Sequence, residues 1–237
     1  MARRKGEKEA LRRERERREA EARAAERRKR LVGYGGGGLL AIAAIAVIVL
    51  LAGGGNGAEG TGGGDMFPDG GEVAEQTEFE LEPAAEAAGC ELRSRRASGV
   101  LDHTQSLDER VDYDSNPPTS GRHCQVPAED DLYHEAPTDE ELVHTLEHGR
   151  VIVWAKPSLP EEARQTLRAL FDEDDYQMVV VPRRNMDPVV AATAWNRDPD
   201  PGGTGQTLAC PRWNDNVVDA IRTFRDEHRS NGPEPVP

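Results

Sequence analysis

Cysteine is scarce in this chain. Only Cys90, Cys124 and Cys210 occur, and no two are spaced as C-x-x-C. A thioredoxin-type redox pair and a zinc ribbon both need that short spacing, so neither is supported. Three is odd, which leaves one thiol over. Cys90 and Cys210 bracket the region with folding potential and are the expected disulfide pair if the compartment is oxidising. A G-x-S-x-G turn is also missing, so Ser120, three residues before His123, lacks the elbow of a serine hydrolase. Positive charge is thin beyond the start of the chain. Residues 1–30 hold 14 Lys and Arg against 7 Asp and Glu, whereas residues 31–237 hold 16 against 37. An acidic body cannot line up the Lys and Arg that phosphate contacts require, which argues against nucleic-acid binding. No internal repeat is visible, so a solenoid is not expected.

The basic end suits an anionic membrane surface. Residues 1–30 alternate Arg, Glu and Ala with almost no apolar side chain, as a solvated cytoplasmic arm would. Residues 31–58 then contain no charged residue, and residues 39–52 are continuously apolar. Counting from Leu31 to the end of that run gives 22 residues, against about 20 needed to cross the hydrocarbon. The charged segment before it is too long for a typical cleaved signal, and no Ala-x-Ala site follows closely. Residues 31–53 are therefore expected to be an uncleaved single-pass anchor. The positive flank puts the amino terminus in the cytoplasm and the rest of the chain outside the cell membrane.

Residues 54–86 are Gly-rich, then acidic, and read as a flexible linker. Residues 87–229 are expected to form one extracytoplasmic domain, and residues 230–237 a polar, disordered, Pro-rich tail. Within the domain, Thr138-Asp139-Glu140-Glu141 reads as a capping box that opens a helix over residues 139–148, with Gly149 just past its end. Residues 150–156, 177–182 and 189–195 are rich in Val, Ile and Trp and read as strands. Amphipathic helices are expected over residues 159–171 and 214–229. Residues 90–131 look turn-rich and irregular. The mixture predicts an α+β fold, a small mixed sheet with flanking helices, preceded by a single transmembrane helix and a disordered linker.

The most informative stretch is His144-Thr145-Leu146-Glu147-His148-Gly149. Imidazoles at i and i+4 share one helix face, the spacing of two ligands to one transition-metal ion. A second segment, Asn116-Pro117-Pro118-Thr119-Ser120-Gly121-Arg122-His123, presents another His on a turn stiffened by proline. Four of the six His, namely His103, His123, His144 and His148, fall within 46 residues. These four are the candidate metal ligands, and Glu147 and Asp102 are the nearest carboxylates to orient their rings. The string also matches H-x-x-E-H, in which two His bind zinc and the Glu acts as general base. Here it lies at the end of a short helix, and no later acidic ligand can be identified. His134 and His228 carry less weight, one in an acidic loop and one on a terminal polar helix. Tyr113 and Tyr133 flank the turn and can line a pocket or fill a core.

Together, Tyr113…Asn116-Pro117-Pro118-Thr119-Ser120-Gly121…His123, Tyr133, and Leu142-Val143-His144…Leu146-Glu147-His148-Gly149-Arg150-Val151 resemble the bacterial family known as domain of unknown function 3105. Ala192-Thr193-Ala194-Trp195 and Cys210 resemble its closing segment. The likeness covers residues 87–229, and Cys124 departs from the usual pattern. The resemblance implies a membrane-anchored or secreted domain, reinforces the four histidines, and supplies no reaction. The expected function is transition-metal binding, copper or zinc, without catalysis. No Met cluster favours Cu(I). The alternatives are a cell-envelope interaction or scaffold domain with structural histidines, and a metal-dependent hydrolase. The protein partner is unknown.

Overall fold

The computed structural model describes residues 65–97 and 102–234. The expected arm at 1–30 and anchor at 31–53 lie outside the described residues. Among those described, no helix is long and apolar enough to cross a membrane. In chain order the elements are α1 (Leu81–Ala88), β1 (Glu91–Arg96), α2 (Asp139–Glu147), β2 (Val151–Ala155), α3 (Glu161–Glu173), β3 (Met178–Pro182), β4 (Val190–Asn196), β5 (Thr204–Cys210) and α4 (Asn216–His228). The strands form one five-stranded sheet in the order β1-β5-β4-β2-β3. Among these described strands only β2 and β3 run parallel, and α3 is the element between them; the other pairs are antiparallel. The α+β class with flanking helices is thus observed.

The apolar runs in β2, β3 and β4 follow from burial on both faces. Val151, Val153 and Ala155 face one core, while Ile152 and Trp154 face the other. Met178 and Val180 alternate with Val179 and Val181 in the same way. The first core takes α3 through Ala163, Leu167 and Leu170, and α4 through Val217, Ile221 and Phe224. The second core takes α2 through Leu142, Val143 and Leu146. Two buried tryptophans belong to that second core, and each indole N–H is satisfied. Trp154 donates to Thr193 Oγ1 at 2.8 Å and Trp195 to the Gly202 carbonyl at 2.7 Å.

Two strands were not expected. β1 is polar and exposed apart from half-buried Leu92 because it is an edge strand, so its sequence shows no alternation. β5 carries Gly205, where a Cβ would overlap the side chain of Thr119 from the proline turn. Glycine is needed there because the turn packs directly on the strand. The register Glu91↔Ala209 brings Cys90 opposite Cys210, and the two form a disulfide with an S–S distance of 2.06 Å. Cys124 is a buried free thiol.

The linker boundary moves. Residues 65–86 are part of the fold rather than flexible: Met66 and Phe67 are buried, and α1 covers the first core with Leu81, Ala84, Ala85 and Ala88. The segment is held mainly through its backbone. Arg164 donates to the Asp65 and Met66 carbonyls and Arg168 to that of Phe67. Further on, Asp219 accepts from Thr77 N–H, Thr77 Oγ1 and Glu78 N–H. Such a strap needs few apolar residues, so its composition reads as linker. The carboxyl-terminal boundary moves too, because residues 230–234 pack against the end of α2. Ser230 N–H donates to the Gly149 carbonyl and Glu234 N–H to that of Glu147.

His228 ends α4 in a buried position, not on a polar surface. Its ring packs edge-on against Phe224, with centroids 4.4 Å apart, and its Nδ1 accepts from the Asn196 amide at 3.1 Å. Burial holds its pKa down to about 4. A depressed histidine stabilises the fold fully above its unfolded value of about 6.5, and that contribution is lost as pH falls toward the folded value. The loss between about pH 6.5 and 4 should approach roughly 3 kcal/mol. Urea melts of His228→Leu should lack this part of the pH slope. Parallel profiles for the two proteins would show that His228 is not its source.

Candidate metal centre

The capping box forms as the sequence requires. Thr138 Oγ1 accepts from Glu141 N–H, and the Glu141 carboxylate accepts from Thr138 N–H. This fixes where α2 begins and hence which residues face the second core. His144 and Glu147, three apart, then share one face of the last turns. Gly149 follows with φ 83°, a conformation that favours glycine and lets the chain turn into β2.

The proline turn supplies the opposing wall. Gly121 takes φ 126°, and two residues later the His123 ring is fully buried. His123 Nδ1 donates to the Gly121 carbonyl at 2.8 Å. A carbonyl only accepts, so Nδ1 carries the proton and Nε2 keeps its lone pair. Trp195 lies edge-on beneath, its ring centroid 6.0 Å from that of His123. His103 comes alongside through a parallel backbone bridge to His123, with Thr104 N–H donating to the His123 carbonyl at 2.7 Å.

These segments bring His103, His123, His144 and Glu147 together. One ligand atom from each lies within 4.8 Å of every other, and all but His103 are buried. His123 Nε2 is 3.0 Å from Glu147 Oε2. That is ion-pair distance, but the two are not aligned as a hydrogen bond. Both atoms, and His144 Nδ1, are buried with no hydrogen-bond partner among the described residues. Burial lowers His123, but the Glu147 carboxylate and the Gly121 carbonyl outweigh it and leave its pKa raised. Burial raises Glu147, and His123 outweighs it in turn, leaving that carboxyl depressed. At His144 the Glu147 carboxylate pulls upward too, but it is outweighed. Burial first, then the neighbouring His123 and His148, hold His144 down to about 4. It is therefore a neutral imidazole at neutral pH.

A model of the family described as proteins of unknown function, DUF3105, matches residues 103–236. The chain belongs to this family. The match begins at His103, so all four converging residues lie inside it. No curated protein and no solved structure matches the chain significantly.

Within this DUF3105 domain, three of the four expected histidines converge. His148 flanks the group instead of joining it: it is half-buried, its ring centroid is 4.5 Å from that of His144, and its Nδ1 bonds the Glu234 carbonyl. Asp102 is exposed, and Glu147 is not behind the rings but among them. The i,i+3 spacing of Glu147 from His144 was the available signal for this. Cys124 is not in the group; its thiol donates to the Val126 carbonyl at 3.0 Å. Tyr113 and Tyr133 pack against the second core. The arrangement can hold a metal ion.

Proposed function

We propose that this domain binds a transition metal, Zn²⁺ or Cu²⁺, through His103, His123, His144 and Glu147, and that it does so outside the membrane. The observation that carries the reading is a set of buried ligand atoms that face one another without a hydrogen bond among the described residues: His144 Nδ1 has none, and His123 Nε2 and Glu147 Oε2 meet only as an ion pair at 3.0 Å. A buried polar atom without a hydrogen bond costs about 1–3 kcal/mol, and one cation at their centre would satisfy all three. Three imidazoles and one carboxylate suit zinc or Cu²⁺, whereas Ca²⁺ and Mg²⁺ prefer all-oxygen shells. At Zn–N distances of about 2.0–2.1 Å, tetrahedral ligand atoms sit about 3.4 Å apart. A group within 4.8 Å needs to close by about 1.4 Å at its widest, and exposed His103 has the freedom to do so.

Four protein donors fill a tetrahedral shell, which favours holding the ion over catalysis at it. The hydrolase alternative fits less well. H-x-x-E-H places both His on the metal and leaves the Glu free, whereas here Glu147 is in the group and His148 beside it. Titration of the metal-free full chain should give one equivalent of tightly bound Zn²⁺ or Cu²⁺. No binding near neutral pH would favour the scaffold reading with structural histidines.

The same proposal places the domain on the outer side of the cell membrane, anchored by residues 31–53. Its supports are the apolar run, the charge asymmetry around it, and the Cys90–Cys210 disulfide, which persists in oxidising compartments. A reporter that works only in the cytoplasm, fused after Pro237, should be silent. Activity would reverse the orientation.

A further inference from the structure

His148 lies outside the four-residue group, yet it is prepared as a ligand. Its Nδ1 is 2.9 Å from the Glu234 carbonyl oxygen, so that nitrogen carries the proton and Nε2 is left with a free lone pair. The Gly121 carbonyl does the same for buried His123. The carbonyl that sets His148 is itself held. Glu234 N–H donates to the Glu147 carbonyl at 3.1 Å, and Arg197 N–H donates to the Asn231 carbonyl at 2.8 Å. The tail lies tight on the helix end. A Cβ on Gly232 would overlap the Glu147 carbonyl, and one on Gly149 would come within 3.0 Å of the Ser230 Cα. The His148 ring is half-buried and touches His144, which is 6% exposed and at the middle of the histidine cluster. Of the three rings that touch His144 among the described residues, His123 is buried, and His103 and His148 are the two that reach solvent.

We propose that His148 is a relay ligand: it takes the ion at the surface and passes it to His144, while residues 230–234 hold it in the ligating tautomer. This rests on the metal-binding reading above. The step is ligand exchange without redox. The Nε2 lone pair displaces a water from the ion, and His144 and the buried donors then displace Nε2. Because His148 leaves the coordination shell at the end, it sets the rate of exchange and not the affinity.

Cu²⁺ is the probe, because it quenches tryptophan and Trp195 lies 6.0 Å from His123. In the metal-free full chain, His148→Ala should slow both loading and chelator-driven release about tenfold, with Kd within about threefold of wild type. A chain ending at Pro233, without the Glu234 carbonyl, should slow in the same direction, and adding His148→Ala to it should change nothing more. Thermal melts of the metal-free variants serve as the folding control. Unchanged rates would overturn the relay. An affinity loss as large as that of His144→Ala would also overturn it, making His148 an ordinary donor. No Cu²⁺ binding by wild type would overturn the metal-binding reading itself, and the relay with it.

Discussion

His144→Ala should weaken Zn²⁺ or Cu²⁺ binding by about a hundredfold while leaving the metal-free fold nearly as stable as wild type. The magnitude follows from the binding free energy of structural zinc sites, on the order of 10–16 kcal/mol, spread over four donors. Each donor then carries about 3 kcal/mol, or roughly a hundredfold in Kd. The clean fold follows from the charge state. Burial holds His144 at about 4, so at neutral pH its removal leaves no unpaired charge. His123 is a different case. Its removal would strand the buried Glu147 carboxylate, at a cost of about 3–5 kcal/mol, so loss of binding in His123→Ala would be confounded by unfolding. The pH dependence separates the two residues again. Metal needs neutral imidazole, so protons compete at His123 as pH falls through its raised pKa, while His144 competes only near pH 4. Isothermal titration at neutral pH is the measurement. Wild-type affinity in His144→Ala would remove His144 from the site and with it the proposed function.

Reducing Cys90–Cys210, or replacing both residues by Ser, should lower unfolding stability by up to about 5 kcal/mol, the second large effect. The bond closes a loop of 120 residues, and the chain-entropy model assigns nearly that much to a loop of this length. The register of β1 on β5 already sets the two cysteines opposite each other, so the bond adds to a pairing that is in place. Its main effect is on the unfolded chain, which it shortens from β1 to the end of β5. Urea unfolding with and without reductant measures it. A difference below about 1 kcal/mol would mean that strap and sheet hold the domain without the link. A large difference would make the domain dependent on an oxidising compartment, in line with the proposed location.

Much of the fold was legible because local chemistry specified it. The Thr138 capping box, the Gly149 stop and the Val-rich strands each carry their own signal. The strap at 65–80 and the strands β1 and β5 carry none. The strap has no helix or strand of its own and is held by Arg164, Arg168 and Asp219 from helices far along the chain. β1 is an exposed edge whose pairing lies more than a hundred residues away.

The site divides in the same way. The sequence alone determined that His144 shares a helix face with its neighbours, that His123 follows a stiff turn, and that Cys90 and Cys210 frame the domain. These follow from helical periodicity, from proline and glycine, and from a count of three cysteines. Residues at i+3 and i+4 from His144 stand about 60° and 40° away on either side of it, nearly equivalent on the helix. The choice between Glu147 and His148 therefore needs a second body. Packing of α2 on the Trp154 and Trp195 face of the sheet turns Glu147 toward His123. The tail, pinned at Gly149, draws His148 to the rim. Only the tertiary structure decided this, because convergence on one point depends on where the sheet places three separate segments.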